Sequence, residues 1–365
     1  MSEWQTFCLK DLVKIFGGST PPTNSPKNYG NKIRWITAKD LSTLQGRYIK
    51  KGSRSISRLG FKSCSTFLLP KHAILFSVRA PIGYTAIISK RSCTDRGLMG
   101  LVPNKKIYFE FLYYLLKYHK DNISNMGVGT TFKGISKPAL GLFEVKIPPT
   151  YYEQQKIART LSVLDQKIEN NHKINELLHT LAYKIYEYYF KYKPKNAKLE
   201  QIIIENPKSN IMVKNAQKTQ DKYPFFTSGD NILSYPKAII DGRNCFLNTG
   251  GNAGIKFYVG KASYSTDTWC ICANEFSDYL YLLLSSIKNH INQSFFQGTS
   301  LKHLQKNLLK KYPIYMPSAH EIKKFNQIII PLLTLISINT RTSKKLEQIR
   351  DFLLPLLLTQ QVKPE

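Results

Sequence analysis

Acidic side chains are scarce in this 365-residue chain: 24 Asp and Glu stand against 53 Lys and Arg, a formal net charge of +29. So large an imbalance makes a polyanion the first partner to consider, because Lys and Arg near phosphates release condensed counterions on binding. No apolar run reaches the roughly 18 to 20 residues that a bilayer span needs. The densest stretches, Ile328 to Ile338 and Phe352 to Leu358, are shorter and are interrupted by Pro331 and Pro355. No membrane segment is therefore expected, and Met1-Ser2-Glu3-Trp4-Gln5 lacks the basic start and apolar block of a secretory signal. Cysteine is sparse as well: six residues, of which only Cys270 and Cys272 are close. The pair is read as a poor metal clamp, one buried and one half-buried thiol. A reduced, cytoplasmic protein is expected. The seven histidines are dispersed, and His172 and His179 lack the i, i+4 spacing of a zinc pair.

Catalytic motifs are equally thin. A methyltransferase acting on an exocyclic amine needs Asn or Asp ahead of Pro-Pro-aromatic, whereas Ile147-Pro148-Pro149-Thr150 has the prolines alone. Asn248-Thr249-Gly250-Gly251-Asn252-Ala253-Gly254 lacks the Gly-x-x-x-x-Gly-Lys-Ser/Thr order that cradles phosphates. Glu144-Val145-Lys146 matches the tail of a nuclease Glu-x-Lys motif, but no Pro-Asp pair precedes it to complete a metal site. No catalytic residue, metal or cofactor is expected.

With 42% hydrophobic and 12% aromatic residues, the chain can bury sizeable cores. Its organising stretch runs from Thr150 to Tyr192. Thr150 and Glu153 form a capping box. Ile157, Leu161, Leu164, Ile168, Asn171, Asn175, Leu178, Ala182, Ile185 and Tyr189 then follow a 4,3,4,3 spacing, the seam of a helix about 50 Å long packed lengthwise on another helix. The partner is in the same chain. Ser318 and Glu321 form a second capping box, and Phe325, Ile329, Leu332, Ile336, Asn339, Ser343, Leu346, Arg350, Leu353 and Leu357 repeat the spacing at a constant separation from the first set. The polar interruption recurs mid-seam, Asn171 and Asn175 against Asn339 and Ser343, so an antiparallel pairing sets polar centre on polar centre.

The repeat extends upstream. Gly129-Thr130-Thr131-Phe132-Lys133 precedes the first helix and Gly298-Thr299-Ser300-Leu301-Lys302 the second, while Leu9-Lys10-Asp11-Leu12 has a counterpart in Leu199-Glu200-Gln201-Ile202. In the first globular part, Leu9 to Phe16 reads as a short helix ending at Gly17-Gly18. Lys32 to Thr37, Ala73 to Val78 and Tyr84 to Ser89 read as strands, and Tyr108 to His119 as a helix. Pro194 stops the first long helix after Tyr192. In the second part, Tyr223 to Gly229, Asn244 to Asn248, Ile255 to Val259 and Trp269 to Ala273 read as strands, with a helix at Phe276 to Ile287. Short strands mixed with a few helices predict an α+β class, with a globular part and a long helix written twice.

Taken in order, these strings resemble the specificity subunit of type I restriction-modification systems. The resemblance covers essentially the whole chain and rests on Gly17-Gly18-Ser19-Thr20-Pro21, Ser77-Val78-Arg79-Ala80-Pro81-Ile82-Gly83, Gly129 to Ser136, and Ile147-Pro148-Pro149 followed by Glu153-Gln154-Gln155-Lys156-Ile157-Ala158. In the second half it rests on Tyr223 to Ser228 and Gly260 to Thr268, with the duplicated helices. It implies an α+β fold of two globular target-recognition domains separated by two long, coiled-coil-like antiparallel helices, a pseudo-twofold internal repeat. The expected divisions are 1–148 for recognition domain 1, 149–193 for helix 1, 194–317 for recognition domain 2 and 318–358 for helix 2. The implied function is non-catalytic: each domain reads one half of a split double-stranded DNA target, and the helices dock two methyltransferase subunits and, through them, restriction and translocase subunits. Helix length would then set the unread spacer between half-sites. The chain departs from the pattern at Pro331, expected to kink the second helix, at Glu321-Ile322-Lys323-Lys324 in place of Glu-Gln-Gln-Lys, and at Arg350 on the seam.

Base reading needs bidentate donors, while Ser, Thr, Lys and backbone amides mostly hold phosphates. Arg79 and Arg96 are the base-edge candidates of the first domain, with Thr130, Thr131 and Lys133 on the backbone. For the second domain the candidates are Asn252, Lys256, Lys261, Thr299, Ser300 and Lys302. Two other readings are kept open: a catalytic nuclease or self-sufficient DNA-modifying enzyme, and an RNA-binding scaffold.

Overall fold

The computed structural model describes residues 3–79, 81–128, 133–216 and 222–364. It is an α+β protein of two compact units, one formed by Met1–Asn170 with Ser343–Glu365, the other by Asn171–Thr342. The division falls inside both long helices, Tyr151–Tyr186 and Ala319–Leu358.

In the first unit a five-stranded sheet runs in the order Val13–Gly17, Leu98–Pro103, Ile74–Ser77, Thr85–Ile88, Tyr48–Ile49, antiparallel except for the last pair. Val13 and Ile15 are buried and Lys14 exposed, a period-2 pattern. This explains why the helix expected over Leu9 to Phe16 stops at Leu12: two β-branched residues in alternation favour the strand. The strand Leu98–Pro103 had no sequence signal, being punctuated by Gly97, Gly100 and Pro103. A Cβ at Gly100 would overlap the end of the Leu69 side chain, which would have to move. The helix Phe109–Tyr118 lies against the sheet, with Phe111, Leu112 and Leu115 sharing a core with Ile74, Phe76 and Leu101. A smaller three-stranded sheet orders Arg54–Ile56, Tyr29–Ile36 and Cys93–Thr94, the last pair parallel.

The second unit repeats this plan without the fifth strand of the large sheet. Ile204–Glu205, Thr268–Cys272, Arg243–Asn248 and Ile255–Val259 form an antiparallel sheet in the same order as the first four strands above. Leu233–Tyr235, Tyr223–Phe226 and Ser263–Tyr264 repeat the small sheet, again with one parallel pair. The helix Ser277–Ser286 stands where Phe109–Tyr118 does. Along Thr268–Cys272, Cys270 is buried and Cys272, on the same face two residues on at the strand's end, is half-buried. Each unit is also closed by its own terminal strand pair: Gln5–Cys8 with Glu144–Ile147, and Ala197–Lys198 with Pro313–Ile314, both antiparallel. Asn196, just after Pro194, is tied into the second closure, its amide donating to the Ile314 carbonyl at 3.0 Å and its Oδ1 accepting from Met316 at 2.7 Å.

Both long helices begin at the caps expected of them. The Glu153 amide donates to the Thr150 hydroxyl at 3.2 Å. At the second, Glu321 N–H donates to Ser318 Oγ at 3.3 Å, and Glu321 Oε2 accepts from the Ser318 amide at 2.9 Å, a full capping box. The first helix loosens into a π-helical turn, Glu187–Lys191, before Pro194. The second is continuous across Pro331, which lies exposed, where a carbonyl deprived of its helical donor can turn to water.

Within each unit the helices pack antiparallel. In the first, Ile157, Ala158 and Leu161 from the start of one helix share a core with Leu354, Leu357 and Leu358 from the end of the other. In the second, Ala182, Tyr186 and Phe190 meet Ile322, Phe325 and Ile329. The polar interruption pairs as its register requires: Asn339 Nδ2 donates to Asn175 Oδ1 at 2.9 Å. Arg350, the charged intruder on the seam, is matched by Asp165, with Nη1 to Oδ1 at 2.7 Å.

Candidate nucleic-acid interface

Every strand of the large sheet ends in a loop, and in the first unit four such segments converge. Gly18 N–H donates to the Leu98 carbonyl at 3.0 Å and Ser19 N–H to that of Thr94 at 3.0 Å. Gly18 is obligatory in this approach, since a Cβ would collide with the Asp95 carbonyl. Val78 N–H donates to Gly97 O at 3.0 Å, and Ile135 N–H to Val78 O at 2.9 Å, while Arg79 and Gly134 form an isolated bridge. The Ser77 hydroxyl closes the turn, donating to Pro81 O at 2.9 Å and accepting from the Tyr84 amide at 2.8 Å. Arg79, Arg96 and Lys133, distant in sequence, are thereby gathered on one exposed edge. Burial raises the Asp95 carboxyl above its usual range, opposed by the Gly97 and Ala38 amides and by the Arg79 charge. Thr130 and Thr131 lie outside the described residues.

The second unit assembles the corresponding edge with the same bonds. Thr249 N–H donates to Asp267 O at 3.2 Å, Leu304 N–H to Thr249 O at 3.0 Å and Gly251 N–H to Lys302 O at 2.9 Å, and Gly250 bridges His303. Here Asn248 holds the turn as Ser77 does, its Nδ2 donating to Asn252 O at 3.1 Å. Asn252, Thr299, Ser300 and Lys302 are exposed.

Two other candidates stand differently. Lys256 turns inward: its ammonium donates to Thr227 O at 2.8 Å and Asn248 Oδ1 at 3.2 Å, and burial pushes its pKa down. It holds the loop instead of presenting a free cation. Lys261 is exposed but sits past Gly260, at the far end of the strand Ile255–Val259 from Asn252, so the fold does not bring it to the edge. Sequence reasoning missed Thr20, Thr266 and His303, which the loop bonds bring to these edges. His303 alone carried a signal, as the residue following the duplicated Gly-Thr/Ser-Lys loop.

A buried ionic network anchors the first unit to its share of the helices. The Arg47 side chain is 3% exposed; its Nη1 donates to Glu110 Oε1 at 3.0 Å and its Nε to Glu169 Oε1 at 3.2 Å. Tyr48 and Tyr108 donate to Glu110 at 2.6 and 2.8 Å, and Tyr114 to Asp165 at 2.6 Å. Burial first, then the Glu110 hydrogen bond, drives both the Tyr48 and Tyr108 phenols well above their usual range. In the second unit, Arg243 pairs bidentately with Asp278, the counterpart of Glu110, and donates to Thr334 on the long helix at 2.9 Å. Among the described residues no group of three or more His, Cys, Asp or Glu is placed to hold a metal ion, and no helix is long and apolar enough to cross a membrane.

One α+β unit built twice, each copy bearing a loop edge of its own and a share of two antiparallel helices, defines a duplicated recognition architecture. The sequence matches the family described as the type I restriction modification DNA specificity domain over residues 1–180 and 195–348, and the chain belongs to that family. It is 28% identical over 410 residues to the type I restriction enzyme MjaIX specificity subunit of Methanocaldococcus jannaschii, covering 100% of this chain and 94% of that one. It is 32% identical over 187 residues to the putative MjaX specificity subunit of the same organism, covering 50% of this chain and 41% of that one. The fold is similar to the crystal structure of the S subunit of a type I restriction-modification system from M. genitalium, with a TM-score of 0.64, 18% identity and coverage of 97% and 96% of the two chains.

Proposed function

We propose that the chain is the DNA-recognition subunit of a type I restriction-modification complex, with residues 1–148 and 194–317 each reading one half of a bipartite duplex target. The observation that carries this reading is the duplicated edge: the same backbone ladder, under a net charge of +29, presents different side chains in the two units. A protein reading one palindromic signal twice has no reason to vary them, whereas one reading two half-sites must. On the first edge, Arg79 and Arg96 read base edges and Lys133, with Thr130 and Thr131, holds phosphates. On the second, Asn252 reads, Thr299, Ser300 and Lys302 hold the backbone, Lys256 positions the loop and Lys261 makes a peripheral phosphate contact.

The helices 149–193 and 318–358 are docking elements for two methyltransferase subunits and, through them, for restriction and translocase subunits. Exposed Val163, Leu177, Leu181 and Tyr188 on the first helix and Ile338, Ile349 and Phe352 on the second support this assignment. The chain carries no chemistry of its own and works in the cytoplasm beside the DNA it reads. The test is the methylation pattern of host DNA with and without this chain. A bipartite sequence methylated only in its presence is the expected result. Cleavage or methylation by the purified chain alone, given Mg²⁺ or S-adenosylmethionine, would overturn the non-catalytic assignment, and tighter binding of duplex RNA than of DNA would favour an RNA scaffold.

A further inference from the structure

The two edges can be put in register residue by residue from their backbone bonds alone. Ser77 pairs with Leu98 across the first sheet and Asn248 with Thr268 across the second. The amides that follow, on Val78 and Thr249, donate to Gly97 and Asp267, and their carbonyls accept from Ile135 and Leu304. It follows that Arg79 corresponds to Gly250, Arg96 to Thr266, Lys133 to Lys302 and Gly134 to His303. Of these four positions only one keeps its residue. A phosphate contact carries no sequence information, so two units with different targets have reason to retain it; a base contact must change with the target.

Resting on the DNA-reading function proposed above, we infer that positions 250, 266 and 303 join Asn252 as the base-facing positions of the second unit, that Lys133 and Lys302 are one duplicated phosphate contact, and that glycine at position 250 leaves unread a base edge which Arg79 reads in the first half-site. The site can accept the missing side chain. No atom lies within 4 Å of a Cβ built at Gly250, and its φ lies outside the left-handed region that would reserve it for glycine. An arginine there stands on the same ladder position as Arg79 and presents the same two-pronged donor to guanine O6 and N7.

The experiment uses the full chain assembled with methyltransferase subunits and reads the methylated sequences selected from a random duplex library. Gly250→Arg is expected to add one fixed guanine to the second half-site, with a preference of about five- to 150-fold over other bases, leaving the first half-site and the spacer unchanged. Arg79→Gly is expected to free one position of the first half-site in the reciprocal sense. Thr266→Arg, at the position matching Arg96, carries the same test should Gly250→Arg fail to fold, as judged by its melting temperature. If folded variants leave the second half-site unaltered, or weaken all sequences alike, the correspondence is wrong. If the wild-type complex methylates without sequence preference, the DNA-reading function itself fails, a separate outcome.

Discussion

Replacing Arg47 by leucine removes the only cation within reach of both Glu110 and Glu169 among the described residues, while keeping most of the apolar volume. All three side chains are substantially shielded: Arg47 is 3% exposed, Glu110 13% and Glu169 17%. Breaking one partner of a buried pair leaves uncompensated charge in a poorly hydrated site, at a cost of about 3 to 5 kcal/mol. For a unit of this size, each kcal/mol corresponds to roughly 2 to 4 °C in Tm, so the transition should fall by roughly 6 to 20 °C. Thermal melts of the full chain followed by circular dichroism measure this directly. Adding Glu110→Gln to Arg47→Leu should recover part of the loss, giving a coupling energy of about 0.5 to 3 kcal/mol in a double-mutant cycle. A loss below about 1 kcal/mol for Arg47→Leu, with additive singles, would mean that the carboxylates are hydrated like a surface pair and that the network anchors nothing.

Glu321, held down to about 2 by the Ser318 amide and by hydrogen bonds from the Tyr315 and Ser318 hydroxyls, makes the second helix cap pH-dependent. Its folded pKa lies below the unfolded value of about 4.3, so the stabilisation is complete above that value and fades as pH falls towards 2. The stability difference between wild type and Glu321→Gln should therefore be flat above about pH 5.5 and shrink in acid; a difference unchanged at pH 2 would refute it. Asn339→Leu removes the donor to Asn175 and should cost about 1 to 3 kcal/mol in urea denaturation, whereas replacing both asparagines by leucine should be less costly than the single change. Arg79→Ala should weaken binding to the correct half-site by about 1 to 3 kcal/mol and leave random duplex little affected. Lys302→Ala should weaken all sequences alike and reduce the salt slope by about one, and competition titrations at several salt concentrations separate the two.

The long helices were readable from sequence because their signals are local and redundant: a cap, a seam and a polar break, each present twice. The repeat could be read for the same reason. The strand Val13–Gly17 was not, since a four-residue helix runs straight into it and the periodicities overlap. Leu98–Pro103 was hidden by its glycine and proline punctuation, and the crowding of Leu69 against Gly100 is a property of that neighbour and not of the strand itself. At the candidate site, residue type pointed to Arg79 and Arg96, but whether a lysine is free or committed depends on acceptors far along the chain. Lys256 is bound by Thr227 and Asn248, and nothing in its local sequence says so. The Arg47 network joins residues from positions 47 to 350, and no short-range pattern foretells it.

Consider the strand pairs that close each unit. Cys8 lies opposite Glu144, and Lys198 opposite Pro313, so the polypeptide enters and leaves each globular part through neighbouring strands about 5 Å apart. Whatever is threaded between those two points is tied to the frame at that gap and where it packs on the long helices, through Arg47 on Glu169 in the first unit and Arg243 on Thr334 in the second. A cassette of different length or shape can be spliced in by recombination without redesigning the helical frame, provided its ends come together at that gap and it keeps those contacts. New specificity can thus be acquired one half at a time.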